Sequence, residues 1–378
     1  MWEKVRLGDY IQLLGGGTPS KDVEAYWNGD IPWVSVKDFK EDHITSTQDL
    51  ITIEGVKNSA TRIIPADTLL IATRMAVGKV AINTVDVAIN QDIKAITCNK
   101  ELFPKFLFYF FKANEQHLQS LASGATVKGI KINHITDLAI PLPPLPVQQR
   151  IADMLDKADA LRRKDRELLK KYDELAQAIF IDMFGDPVKN EKGWEVKKLE
   201  QLGKLDRGVS KHRPRNAPEL LGGPYPLIQT GDVANSGGWI KNYKSTYSEI
   251  GLKQSKMWPV NTLCITIAAN IAKTGILTFD ACFPDSIVGF NSYNQTNNVF
   301  VQYWFSFFQK ILEEQAPESA QKNINLAILR NLGVIAPPIK LQEAFAKKIE
   351  LINALKAKTN VEKSEKLFQS LLQRPFVL

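Results

Sequence analysis

The stretch KGIKINHITDLAIPLPPLPVQQRIADML, residues 128–155, returns in altered form as KNINLAILRNLGVIAPPIKLQEAFAKKI at residues 322–349. Lys128 falls on Lys322, Ile130 on Ile324, Leu138 on Leu332, Pro143 and Pro144 on Pro337 and Pro338, and Gln148 on Gln342, at a constant offset of 194 residues. The other ends of the two copies match as well. WEKVRLGDYIQLLGGG from Trp2 resembles WEVKKLEQLGKLDRG from Trp194, at an offset of 192. IPWVSVKDF from Ile31 resembles YPLIQTGDV from Tyr225, and TLLIATRMAVGKVAI from Thr68 resembles TLCITIAANIAKTGI from Thr262. One such match can arise by chance; several in register mean an internal repeat. The chain reads as globular unit, helix, globular unit, helix.

Each unit closes on a double proline, which stops it and opens a long helix. In the first helix the apolar residues Ile151, Met154, Ala158, Leu161, Leu168, Tyr172, Leu175 and Ile179 alternate by three and four. That is a coiled-coil seam, with the charged Asp165 at one heptad place. The outward face is Arg, Lys, Glu and Asp. A lone helix of this kind is marginal in water and needs a partner. The second helix, from about Leu341 to Leu372, offers Phe345, Ile349, Ile352 and Leu355, then a polar stretch, then Leu367, Phe368, Leu371 and Leu372. The expected division is residues 1–145, first unit; 146–182, first helix; 183–193, linker; 194–339, second unit; 340–378, second helix. Antiparallel packing of the helices relates the units by a pseudo-two-fold axis. At 1.5 Å per residue, about 35 residues span roughly 50 Å, so the helices act as a ruler between two similar surfaces. A coiled coil between two chains is the alternative; the tandem repeat argues against it, because the chain carries its own partner.

Within the units, IPWVSV, TLLIAT, GKVAINTV, YPLIQT, TLCITI and TGILTF are short, β-branched and bounded by Gly, Pro, Asn and Asp, the pattern of strands. PKFLFYFFKAN from Pro104 and VQYWFSFFQKI from Val301 read as one aromatic helix per unit. The fold class is α+β: two tandem, pseudo-symmetric units with a curved or barrel-like sheet and helices, joined by two long helices in an antiparallel intramolecular coiled coil.

The 378-residue chain carries a net charge of +7, with 44% hydrophobic and 24% charged residues, and its pI is near 9.0. The basic balance favours an anionic partner such as nucleic acid. Cys98, Cys264 and Cys282 are scattered and odd in number, which argues against a disulfide scaffold and fits a reducing cytoplasm. No signal region and no apolar run of about 18 residues is present, so no membrane span is expected.

Catalytic motifs are missing. AVGKVA has Gly78-Lys79 without the upstream glycine and hydroxyl of a phosphate loop. LLGGGTPSK from Leu13 does not open a helix in a βαβ unit, and reads as a turn or a backbone contact rather than a dinucleotide site. His43, His117, His134 and His212 have no metal-ligand spacing. Cys264 and Cys282 sit in apolar strand-like runs and read as core. What remains is basic and polar residues at loop-like places. These are Lys21, Lys37, Arg74, Lys79, Lys128 and Lys131 in the first unit. In the second they are Arg207, Lys211, Arg213, Arg215, Gln229, Lys273, Lys322 and Asn325. Arg and Lys neutralise phosphate or contact guanine; Gln and Asn suit adenine. Lys79 pairs with Lys273 and Lys128 with Lys322 in the repeat, as shared backbone contacts would, whereas Arg74 faces Ala268.

The order of a tryptophan-led unit, IPLPPLPVQQRIADMLDKADALRRK, AQAIFIDMFGDP, a second tryptophan-led unit and IAPPIKLQEAFAKKI resembles the specificity subunit of type I restriction–modification enzymes over essentially the whole chain. The resemblance implies two target recognition domains, each reading one half of a split site on double-stranded DNA, and two helical spacers that pack antiparallel, fix the gap and dock partners. It implies no catalysis and no cofactor in this chain. The implied partners are two methyltransferase subunits, which bind S-adenosylmethionine and methylate adenine, and motor–nuclease subunits, which use ATP and Mg²⁺, all in a bacterial or archaeal cytoplasm. One departure is a weaker second seam, with Glu362 and Lys366 at the expected equivalents of Leu168 and Tyr172. An enzyme fusing recognition and modification would need a further domain, and no segment is left to hold one. A structural coiled-coil protein with two β-rich protein-binding modules and no DNA role is the other alternative, separated by salt-dependent binding to duplex DNA.

Overall fold

The β-branched runs become strands, and the strands of the two copies pair in the same order. The computed structural model describes residues 2–124, 126–268, 271–307 and 324–376. It divides into one unit of Met1–Glu167 with Asn360–Leu378 and another of Leu168–Thr359. In the first unit the strands are β1 (Lys4–Arg6), β2 (Ile11–Gly15), β3 (Trp27–Val34), β4 (His43–Ile44), β5 (Asp49–Ile51), β6 (Ile63–Ile64), β7 (Leu69–Ala72), β8 (Val80–Asn83), β9 (Val87–Ile89), β10 (Ile93–Cys98) and β11 (Ala139–Pro141). They make a five-stranded sheet, β2-β10-β7-β8-β4, a four-stranded sheet, β5-β3-β9-β6, and the pair β1-β11.

In the second unit they are β12 (Val196–Lys198), β13 (Gly203–Arg207), β14 (Leu221–Leu227), β15 (Trp239–Ile240), β16 (Ser245–Tyr247), β17 (Met257–Trp258), β18 (Leu263–Thr266), β19 (Thr274–Leu277), β20 (Ala281–Cys282), β21 (Ile287–Ser292) and β22 (Gly333–Ile335). Their orders are β13-β21-β18-β19-β15, β16-β14-β20-β17 and β12-β22, so each described strand has its counterpart eleven strands later. The irregularities repeat too. β3–β9 and β4–β8 are parallel in one unit, β14–β20 and β15–β19 in the other. Register slips between Trp27 and Ile31, and between Leu221 and Tyr225.

Among the described residues, the expected curved or barrel-like sheet of each unit is built from a five-stranded and a four-stranded sheet, with a two-stranded pair besides, and an apolar core in the first unit includes Val34, Ile89, Leu70, Ala81 and Ala95. The aromatic helices, Pro104–Ala113 and Asn298–Phe305, join a second core with the strands behind them and the long helices in front. Phe106 meets Phe376 at 4.9 Å in the first unit, and Phe300 meets Phe184 at 4.8 Å in the second. Each fully buried phenylalanine contributes about 2–3 kcal/mol of burial, so the helix ends are part of each unit's core.

A pair of buried glutamines explains the Pro-Pro-x-x-x-Gln pattern. Gln148 Oε1 accepts from Phe103 N–H at 2.8 Å, and its Nε2 donates to Glu101 O at 2.9 Å and Pro143 O at 2.8 Å. Gln342 Oε1 accepts from Asn297 N–H at 2.9 Å, and its Nε2 donates to Gln295 O at 3.3 Å and Pro337 O at 2.8 Å. Both glutamines are at most 1% exposed. Each amide ties the proline loop that starts the spacer to the loop that starts the aromatic helix. The task takes one acceptor and two N–H donors, which a primary amide supplies together.

The long helix runs unbroken from Leu145 to Phe184. Its buried line is Ile151, Ala152, Leu155 and Ala158 in the first unit, then Ala176, Phe180 and Phe184 in the second. Of the expected seam, Ile151 and Ala158 are buried and Tyr172 and Ile179 half-buried. Met154, Leu161, Leu168 and Leu175 are 42, 46, 39 and 46% exposed. The buried line lies beside the expected one because the helix packs on a globular core as well as on another helix. On the partner side Phe345, Ile349 and Ile352 are buried, and Leu355 is exposed.

The second spacer is two helices, Ile339–Lys358 and Val361–Gln373, where one was expected. In the second unit the pairing is antiparallel: Phe184 meets Phe345 at 5.4 Å, whereas Asp173 meets Lys356. In the first unit the repeat mate of that ion pair joins Arg162 to Glu365 at 3.3 Å, and Arg162 stacks over Phe368 at 4.0 Å. Arg162 and Lys356 are 194 residues apart, but Asp173 and Glu365 are only 192 apart. The second spacer therefore lacks two residues. Two residues turn a helix by roughly 200°, so a continuous helix would swing its downstream apolar face out to solvent. The break at Thr359–Asn360 resets the phase, and Asn360 caps the new helix by accepting from Lys363 N–H at 3.1 Å. With the deletion placed, Leu168 and Tyr172 correspond to Asn360 and Ser364, not to Glu362 and Lys366. Ser364, Phe368, Leu372 and Phe376 are then all buried.

Gln148→Ala or Gln342→Ala leaves buried backbone groups without partners and should cost about 2–4 kcal/mol, read as a lower first midpoint in chemical denaturation. Gln148→Glu, which faces two carbonyl oxygens without a donor, should cost more than Ala.

Candidate nucleic-acid interface

Both units carry a cleft at the same place, between the end of the central strand of the smaller sheet and the loop that follows the first strand of the larger one. In the first unit the cleft holds about 520 Å³ and is lined by Thr18, Lys21, Trp27, Trp33, Ser35, Lys37, Asp49, Met75, Asn90, Gln91 and Asp92, among others. In the second it holds about 150 Å³ and includes Ser210, Arg215, Asn216, Leu221, Leu227, Gln229, Ser245, Tyr247 and Pro284. Strand pairing sets the equivalence. Trp33 faces Asp49 across β3–β5, and Leu227 faces Ser245 across β14–β16. Ser35 and Gln229 each begin a one-turn helix whose acid bonds back: Asp38 Oδ2 accepts Ser35 N–H, and Asp232 Oδ2 accepts Gln229 N–H, both at 2.8 Å.

The glycines of LLGGGTPSK serve packing. A Cβ on Gly16 would lie 1.9 Å from Ile89 O, and Gly17 N–H donates to that same oxygen at 3.0 Å. Gly17 O in turn accepts from the Trp33 indole at 3.1 Å. This close approach of backbone to backbone delivers Thr18 and Lys21 to the cleft rim.

Lys21 and Lys37 line the first cleft. Arg74 joins them through Asp92, at 3.5 Å. Lys128 contributes its backbone, its carbonyl accepting from Met75 N–H at 3.0 Å; Met75 is 66% exposed, with φ near +60°. Lys79 and Lys131 are exposed and do not line this cleft.

In the second unit Arg207, Arg213 and Arg215 converge on one residue. Arg207 Nε donates to Asp285 O at 2.9 Å, Arg213 lies 3.6 Å from Asp285 Oδ2, and Arg215 pairs with Oδ1. Lys211 is held through its backbone N–H, which donates to Gln254 Oε1 at 2.7 Å, and its side chain is exposed. Gln229 stands at the cleft. Lys273 does not: it lines a separate cleft with Asp173, Gln177 and Gln302. Asn325 caps the helix Leu326–Asn331, accepting from Ile328 N–H at 3.0 Å, so its side chain is committed to structure. Lys322 lies outside the described residues.

Sequence reasoning missed Thr18, Asn90, Gln91 and Asp92 in the first cleft and Asn216 and Ser245 in the second. Asp285 stands outside the expected set, and its carboxylate orders arginines. Such exposed ion pairs are weak, so the arginines can trade Asp285 for another anion.

The sequence matches the type I restriction modification DNA specificity domain over residues 1–171 and 191–367. The chain belongs to that family. It is 26% identical over 373 residues to the MjaIX type I restriction enzyme specificity subunit of Methanocaldococcus jannaschii, covering 91% of this chain and 85% of that one. A specificity subunit of an Escherichia coli type I restriction enzyme is 35% identical over 178 residues, covering 45% of this chain and 44% of that one. The fold matches the crystal structure of the type I S subunit from M. genitalium with a TM-score of 0.66 at 15% identity, covering 100% of this chain and 96% of the other. A second solved structure, described as the structural basis of complex assembly and conformational transition of the type I R-M system, matches with a TM-score of 0.56 at 18% identity over 99% of this chain and 97% of the other.

Among the described residues no group of His, Cys, Asp and Glu could hold a metal ion, and no helix is long and apolar enough to cross a membrane. The cysteines are free. Burial pushes the Cys98 thiol up to about 12 and raises Cys264 and Cys282 as well. Thiols held protonated at neutral pH are poor nucleophiles. A disulfide reagent at neutral pH should therefore label the native chain far more slowly than the denatured one, which exposes all three cysteines; rapid labelling of native Cys98 would contradict its assignment as inert.

Proposed function

We propose that this chain is the non-catalytic DNA-reading subunit of a type I restriction–modification complex, each unit reading one block of a split target. The observation that carries the reading is the pair of clefts at equivalent positions. Their backbone frame is common, down to the strand register and the capped turn, while the side chains differ: Trp33 against Leu227, Ser35 against Gln229, Asn90 against Pro284. A shared frame suits the uniform DNA backbone, and divergent side chains suit two different base sequences. Cations stand beside both clefts: Lys21, Lys37 and Arg74 in one unit, and Arg207, Arg213 and Arg215 in the other.

The spacers fix the gap between the blocks. Their exposed apolar residues are the docking surface for two methyltransferase subunits: Met154 and Leu161 from the first unit, Leu168 and Leu175 from the second, at heptad spacing. Apolar residues exposed in such a row call for a protein cover. S-adenosylmethionine belongs to those subunits, and ATP and Mg²⁺ to the motor–nuclease subunits, all in the cytoplasm.

Co-expression with a cognate methyltransferase subunit and mapping of adenine methylation should return two short blocks separated by a fixed gap. A continuous short motif would exclude a two-block reader; salt-independent DNA binding would favour the protein-binding alternative. Removing one heptad from the long helix, with the matching stretch of the second spacer, should shorten the gap by roughly 3 base pairs and leave the blocks intact. Arg213→Ala and Arg215→Ala should each weaken duplex binding similarly for all sequences and lower the salt slope by about 1.

A further inference from the structure

The two clefts differ most sharply at one position. In the first unit it is Ser35, which is 6% exposed and committed inside the turn. Its Oγ donates to Asp38 Oδ2 at 3.1 Å and accepts from Lys37 N–H at 3.3 Å. In the second unit it is Gln229, whose side chain is long and exposed.

The backbone beneath Gln229 is nevertheless rigid. Its N–H is held by Asp232 at 2.8 Å, and its carbonyl accepts from the N–H groups of Asp232 at 3.0 Å and Val233 at 3.2 Å. It follows the buried Leu227 and Ile228 at the end of β14. A long, exposed amide is thus mounted on a fixed turn at the rim of a cleft. Arg215 lines that cleft and is oriented by Asp285. The smaller cleft, with Leu227 where the first unit has Trp33, offers little room for a group to enter it, so recognition falls to what projects from its rim.

We infer that Gln229 reads an adenine, its amide accepting from the exocyclic N6 amino group and donating to N7 across the major-groove edge. Glutamine is the side chain whose two adjacent polar atoms match that edge, and a bidentate pair of this kind discriminates against other bases by roughly ten- to a hundredfold. Arg215 and its neighbours supply the phosphate contacts that hold the base edge in reach. The first unit cannot use this contact, because Ser35 is short, buried and occupied. Its block must be read by other residues of the larger cleft. This inference rests on the proposed role of the second unit in reading one DNA block, and it assigns one base of that block to one side chain.

The test is adenine-methylation mapping of the complex of full-length chain and methyltransferase subunit, for the wild type, Gln229→Ala and Gln229→Ser, the last being the residue that the first unit carries in the same frame. The expected result is that both variants lose, by roughly ten- to a hundredfold, the preference for adenine at a single position of one block, with the other block and the gap unchanged. Gln229→Arg should move the preference at that position toward guanine. An unchanged motif, or a uniform loss at every position with the complex still assembled, would overturn the inference. A wild-type complex that shows no split motif would instead overturn the reading on which it rests.

Discussion

One buried amide per unit holds the architecture together. Gln148 and Gln342 each satisfy three backbone groups that would otherwise be stranded in the core, and each does so at the junction of three elements: the proline loop, the aromatic helix and the start of a spacer. The prolines fix the loop but remove donors; the glutamine supplies the missing one. The direction in which each spacer leaves its unit therefore depends on this clamp. So does the placement of Phe345 and Ile349, or of Ile151 and Leu155, against the aromatic helix.

A second constraint is phase. Both spacers bury one apolar line, and a helix keeps such a line only while its residue count is preserved. The second spacer has lost two residues and meets the constraint by breaking and recapping at Asn360. The ion pairs on either side show that the phase is restored: Arg162 with Glu365 on one side, and their repeat mates Lys356 with Asp173 on the other. Glu365 is held below the usual carboxylate range, first by a hydrogen bond from Gln369 and then by Arg162 and Arg166.

The tandem repeat, the strand-rich units and the proline junctions were legible in the sequence, because strong local signals carry them: alternating β-branched runs, double prolines and the same spacing to glutamine in both halves. The heptad pattern of the long helix was legible too, but not which face it buries. Met154, Leu161, Leu168 and Leu175 form a regular row that periodicity cannot distinguish from a buried one. The break at Asn360 was hidden because a two-residue deletion inside a polar stretch leaves no local mark. For the interface, density of charge singled out Arg207, Arg213 and Arg215, which meet at Asp285. Asn325 spends its side chain on a helix cap, and Lys273 lines another cleft. Asn90, Gln91 and Ser245 became visible only through strand pairing, since their equivalence across the repeat is set by register rather than by residue type.

The central claim is that two readers share one frame and differ in the side chains mounted on it. It is tested most directly by building a chain in which residues 194–338 are replaced by a second copy of residues 2–144, keeping both spacers, and mapping the adenine methylation of its complex. The account predicts that both blocks of the motif become the block read by the first unit, with the gap preserved. A complex that assembles and methylates with the original second block unchanged would contradict it.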